Sequence, residues 1–144
     1  MSGFRVVTGS WEDCANDAVP VRQTVFVQEQ NVPPEIELDE HDADSVHAVA
    51  YDASGLAIGT GRLLCDGHIG RVAVLAAWRG HGVGVALMHA LMHQARARGF
   101  MHVELSAQCQ ARAFYEKLGF VAFGDTYREA GIEHVAMRCC FQPL

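Results

Sequence analysis

Arg79-Gly80-His81-Gly82-Val83-Gly84 stands between a strand-like run and a helix-like run, and that order limits what this chain can become. Ile69 to Val74 reads as a strand. Val85 to Arg98 contains neither Pro nor Gly and ends at Gly99, as a helix would. Glycines let a backbone turn tightly and approach a ligand closely. The N–H groups that open a helix, together with its dipole, attract an anion. Arg79 adds a cation whose planar fork suits phosphate oxygens. A strand feeding a glycine loop at a helix start is therefore a phosphate-binding design; the alternative is a glycine-rich connector with no ligand.

Two common phosphate fingerprints fail. A dinucleotide loop needs a small third residue where Val85 stands, and a P-loop needs Gly-Lys-Ser/Thr, whereas the sole lysine is Lys117. Arg-x-x-Gly-x-Gly resembles the pyrophosphate loop of the GCN5-related N-acetyltransferases (GNAT). Downstream, Gln108, Ala111, Phe114, Tyr115, Gly119 and Phe120 resemble the later motif of that family, with Gln108 where Asn is common. Val25 to Gln30, then Glu37, Leu38, Asp39, Asp42 and His47, and the segment Glu129 to Met137, are similar to the ElaA-type subgroup. Glu133 replaces the proline common there.

The resemblance implies an α+β fold, a mixed but mainly antiparallel sheet with helices on both faces, in which the fourth and fifth strands splay apart. It implies acetyl-CoA as co-substrate and a small-molecule or peptidic amine as acceptor. The pyrophosphate would sit on Arg79, Gly80, His81, Gly82, Val83 and Gly84. Val72, Ala73 and Val74 would meet the pantetheine and thioester, with a side-chain contact from Gln108. Tyr115 is the candidate general acid, packing under the cofactor being the alternative. The base is less defined. His68 shares a strand face with Val72 and Val74 by period two and has a suitable ordinary pKa. Glu104 lies on the next strand, and Glu29, Asp39, His47, Glu129 and His134 are further candidates.

Composition narrows the setting. The 144 residues read as one domain, 1–144, large enough for its own core, and half are hydrophobic. No apolar run suits a membrane span and no secretion signal opens the chain, so a cytoplasmic protein is expected. Five cysteines without a Cys-x-x-Cys pair read as reduced thiols. A formal net charge of −6 argues against nucleic acid. No metal is expected: His89 and His93 are four apart, but the Glu of a zinc-binding helix is missing. Glu35, Glu37, Asp39, Glu40, Asp42 and Asp44 crowd one loop, which suggests a cationic acceptor if the loop is more than a solvated surface. Whether the chain is a monomer or a homodimer stays open.

The remaining pattern predicts a first strand at Phe4 to Thr8 and a helix capped by Ser10 and interrupted at Pro20. A second helical segment follows from Val21 to Gln30. Three strands, His47 to Tyr51, Leu56 to Leu64 and His68 to Val74, form an antiparallel meander. Val83, Leu87, Met88, Leu91 and Ala95 share the buried face of the loop's helix, with His89 and His93 opposite. His102 to Ser106 is a strand, Gln110 to Leu118 a helix, and Phe120 to Phe123 and His134 to Cys140 close the sheet. An N-acetyltransferase is the leading expectation. A CoA-binding regulatory module without turnover and a nucleotide-binding domain are the alternatives.

Overall fold

The computed structural model describes residues 3–129 and 131–141; Ala130 and the side chains of Glu35 and Ile36 lie outside that description. β1 (Phe4–Gly9), β2 (Val46–Asp52), β3 (Ala57–Leu63) and β4 (Ile69–Val74) form an antiparallel sheet in chain order, which contains the expected meander. β5 (His102–Gln108), β6 (Val121–Glu129) and β7 (Ile132–Cys140) form a second antiparallel sheet in the order β5-β7-β6. The sheets touch through one parallel bridge between His68 and Glu104, where Glu104 N–H donates to Gly67 O at 3.1 Å. Beyond that bridge no ladder joins β4 to β5, so the expected splay is present.

A bulge bends β4 at the mouth of the split. Thr60 faces Ala73 and Arg62 faces Gly70, so two steps on β3 span three on β4. The surplus falls at Arg71, whose φ of 51° is left-handed, a conformation that costs a non-glycine residue about 1–2 kcal/mol.

α1 (Trp11–Arg22) starts as the sequence suggests: Ser10 accepts a 3.2 Å hydrogen bond from Asp13 N–H. Its end corrects the expectation, because α1 runs through Pro20. The proline takes one N–H out of the helical ladder, and the helix adjusts its register rather than breaking. Gln23–Glu29 continues as a π-helical segment, with Gln30 N–H bonding back to Val25 O at 3.2 Å. The widened turn buries Val25 and leaves Phe26 and Glu29 toward the split sheet. α2 (Pro34–Glu37) is a single turn within the acidic segment, which is therefore not a plain loop.

α3 (Val83–Ala97) packs the predicted face, Val83, Leu87, Met88, Leu91 and Ala95, into the core and exposes His89 and His93. Gly59 on β3 makes this close: a Cβ there would stand 3.0 Å from both Leu87 Cδ1 and Val83 Cγ1. The same core takes Ile58 and Leu63 from one sheet and Val103, Leu105 and Met137 from the other, so burial rather than strand pairing joins the halves. Each such side chain contributes about 1.5–3 kcal/mol. α4 (Arg112–Lys117) follows a short 3-10 turn and is shorter than predicted. Cys139 is buried and Cys140 exposed, and all five cysteines are free. No helix among the described residues is long and apolar enough to cross a membrane.

Candidate active site

Gly80 and Gly82 have φ of 80° and 85°, and an added Cβ at either would meet nothing within 4 Å. Both conformations suit glycine, and the space beside them is open to a ligand. No side chain caps α3, and its first turn carries no acid. Ala86 N–H is the first to reach a helical acceptor, Gly82 O at 3.1 Å, so the three preceding N–H groups point past the helix end. Gly84 is small for a different reason: a Cβ there would lie 3.3 Å from Phe114 Cζ. A cavity of about 540 Å³ opens here, lined by Val72, Val74, Trp78, Arg79, Gly82 and Phe114 among others. The donor set fits a pyrophosphate, and the apolar wall fits an alkyl arm.

β4 contributes backbone. Leu75 N–H donates to Ile58 O at 2.9 Å, so alternation turns Ala73 toward β3 and the polar groups of Val74 and Val72 toward the split. Val74 O already accepts from Arg79 Nε at 3.0 Å. A second cavity of about 210 Å³ adjoins the first, lined by Phe26, Arg71, Val72, Ser106, Tyr115 and Glu129 among others. Val72 and Ala111 line both, so two ligands would meet there.

Tyr115 stands edge-on to Phe114 and Phe120 at centroid distances of 5.0 and 6.0 Å. Burial pushes its pKa up, and its hydroxyl has no hydrogen-bond partner among the described residues. A neutral phenol in the wall of the smaller cavity is equipped to donate a proton.

The acidic segment does something other than the sequence suggests. Arg22, 1% exposed, donates to Glu37 Oε2 through Nη2 at 2.6 Å and to Asp42 Oδ1 through Nη1 at 2.7 Å. Arg62 grips Asp39 at 2.6 and 2.9 Å and Asp42 at 2.8 Å. Arg71 reaches Glu37 Oε2 at 3.2 Å and Asp39 Oδ2 at 3.4 Å. Three arginines thus face three carboxylates in a network that closes on itself electrically. The hydrogen bonds from Arg62 hold the Asp39 carboxyl down at about 2. Burial opposes charge at Asp42, but Arg22 prevails and its pKa is lowered. Glu37, Asp39 and Asp42 are therefore not a lure for a cationic acceptor; they anchor the segment and the β4 bulge. The side chain of Glu35 lies outside the described residues.

The other predicted residues divide sharply. Gly80, Gly82, Val83, Gly84, Arg79, Val72 and Val74 line the larger cavity, and Gln108 and Tyr115 the smaller. His81 lines neither; its ring stands 5.8 Å from Trp78. The Ala73 side chain is buried against Val21 and Val25. His68 is not brought to the cleft. It sits at the closed end of the split, paired with Asp66 at 3.0 Å and Glu104 at 3.3 Å. Gln108 donates to Gln30 Oε1 at 2.9 Å. His47, 1% exposed, bonds through Nε2 to Asp42 O at 2.9 Å, and burial lowers its pKa. Trp78, Arg71, Ser106 and Tyr127 carry no signal that sequence alone could read, because their positions depend on strand pairing and the β4 bulge; Phe26 falls in the Val25 to Gln30 resemblance, but its place at the cleft depends on the π-helical turn. Phe114 packs against the core and also forms cavity wall.

The acetyltransferase (GNAT) domain family matches residues 12–141. The uncharacterized N-acetyltransferase YjcF of Bacillus subtilis is 39% identical over 138 residues, 93% of this chain and 98% of that protein. Protein ElaA of Escherichia coli is 31% identical over 143 residues, 88% of this chain and 94% of its own length. The crystal structure of an acyl-CoA N-acyltransferase from Pseudomonas aeruginosa superposes with a TM-score of 0.84 at 32% identity, covering 96% of this chain and 100% of that one.

Proposed function

The chain belongs to the acetyltransferase (GNAT) family and is an acyltransferase, and on that premise we propose that it moves the acetyl group of acetyl-CoA onto the nitrogen of an amine by direct attack, with both substrates bound. One observation carries this reading: the glycine cradle at Gly80 and Gly82 opens into a cavity that shares Val72 and Ala111 with a second cavity, whose wall includes Tyr115.

A thioester is already activated, so no covalent enzyme intermediate is needed; proximity and charge control suffice. The N–H groups opening α3, with Arg79, hold the pyrophosphate. The outward backbone groups of Val72 and Val74 pair with the pantetheine as a missing strand would. As the carbon–nitrogen bond forms and the carbon–sulfur bond breaks, Tyr115 gives its proton to the departing sulfur. It recovers one from the nitrogen, and one proton is released overall.

The test begins with calorimetry. Acetyl-CoA binds the wild type, and Gly82→Asp, which adds bulk and like charge beside the pyrophosphate, abolishes binding while the unliganded protein still unfolds cooperatively, its melting temperature lowered by a few degrees because the backbone at 82 is left-handed. At a hundredfold excess over Kd, acetyl-CoA adds about 2.7 kcal/mol of stability, and NAD and ATP add none. Unchanged binding in Gly82→Asp removes the site. Binding without thiol release on any amine makes the protein a cofactor-binding module instead.

A further inference from the structure

The structure sorts the acids and histidines near the cleft. Glu29 is held by Arg79 at 2.7 Å, Asp39 by Arg62 and Arg71, and His47 by the Asp42 carbonyl. Glu129, at the end of β6, is the one carboxylate lining the smaller cavity among the described residues. The one cation of that lining, Arg71, already faces Glu37 and Asp39. No arginine or lysine among the described residues pairs with Glu129, which stands beside the apolar side chains of Phe26, Ile69 and Leu105.

Three strands build this corner. Ser106 on β5 shares a hydrogen bond with the Tyr127 hydroxyl on β6 and lies 3.4 Å from Glu129 Oε2. Tyr127 stacks on the ring of His134 on β7, 6.0 Å between centroids and 23° between planes. His134 Nδ1 lies 2.7 Å from Ile132 O. A carbonyl can only accept, so Nδ1 carries the proton and Nε2 is the ring atom turned to Glu129 Oε2, 3.9 Å away. The stack and the carbonyl bond fix the ring, and the ring stands behind the carboxylate.

We infer that Glu129 is the counter-ion of the acceptor. The acceptor enters as a primary ammonium, donates to the Glu129 carboxylate and the Ser106 hydroxyl, and lays an apolar body against Phe26 and Leu105. His134 is a positioning residue whose fixed ring backs the Glu129 side chain by contact, its Nε2 3.9 Å from Oε2 and beyond hydrogen-bond reach. The acceptor class is a compact cationic amine with an apolar substituent, and its selection comes from this corner rather than from the acidic segment. The inference rests on the acetyltransferase reading.

Steady-state thiol release separates the two. The amines are phenethylamine, hexylamine and spermidine as cations, aniline as a neutral nucleophile and glutamate as an anion. The wild type prefers a cationic member. Glu129→Gln raises the KM of that amine at least about tenfold with kcat little changed, as loss of ground-state charge pairing does. Its kcat/KM falls several-fold less for aniline than for the cationic amine, and its calorimetric affinity for acetyl-CoA stays at the wild-type value. His134→Ala raises the same KM to a smaller degree, and His134→Asn, which can still donate to Ile132 O, recovers part of the loss. An unchanged KM in Glu129→Gln, an equal loss with aniline, or a wild-type preference for glutamate overturns this inference and leaves the acetyltransferase reading standing. A wild type that binds no acetyl-CoA, or acetylates no amine, overturns both.

Discussion

At the scale of single residues, the proton donor is the sharpest assignment to test. Tyr115 is raised by burial, so its phenol stays neutral through the physiological range. A thiol has an ordinary pKa near 8.5, lower than a phenol near 10, so proton transfer to sulfur helps only in a site that water does not dominate. The rings of Phe114 and Phe120 supply such surroundings. Tyr115→Phe should lower kcat by roughly 10- to 1000-fold, the usual span for a general acid, while leaving acetyl-CoA affinity intact. Stopped thiol release with matched calorimetry checks it. A loss of affinity with kcat preserved would make Tyr115 part of the packing only.

At the scale of elements, the π-helical segment ties two sites together. It presents Glu29 to Arg79 across a 2.7 Å ion pair, on the cation expected to meet pyrophosphate. Bound phosphate and Glu29 then compete for the same guanidinium. An exposed pair of this sort is worth up to about 1 kcal/mol, so Glu29→Gln should tighten CoA binding by roughly two- to fivefold. Calorimetry at low and moderate salt measures this. Weaker binding in Glu29→Gln would mean that the carboxylate aims Arg79 rather than restraining it. Pro20 shows why this element was poorly legible. The local rule ends a helix at proline, whereas α1 passes through it and shifts register three residues later. The glycine loop and α3 were legible because their signals are local: two left-handed glycines and a 3.6-residue apolar period. Glu129 and His134 were legible as candidates, but their corner with Ser106 and Tyr127 was not, since it exists only once β5, β6 and β7 pair.

Over the whole molecule, the arginine–carboxylate network links α1, α2, β3 and the β4 bulge. Its six members come from sequence positions 22 to 71, and no spacing rule could pair them. Removing one partner of a buried pair leaves the other charge uncompensated, typically at 3–5 kcal/mol. Asp39 lies at the edge of the network, which makes it the member to titrate. Its folded pKa of about 2 lies below the ordinary 3.8, so its stabilisation is complete above about pH 4 and is lost as pH falls through about 2. That difference corresponds to something on the order of 2 kcal/mol. Urea unfolding from pH 7 to 2 should show this loss in the wild type and a flatter profile in Asp39→Asn, which starts lower at pH 7. Parallel profiles would take Asp39 out of the acid response.

The same closed network bears on how such a sequence can drift. Each arginine touches two carboxylates, so any one replacement strands a neighbour, and only a joint exchange of all six members for apolar residues of like volume leaves no charge stranded. Inheritance must therefore cross this region in coordinated steps, while a residue such as Glu129, 61% exposed and bound into no such circuit, can change alone. Lineages descended from a chain like this one would keep the frame beneath the cleft and vary the corner that meets the acceptor.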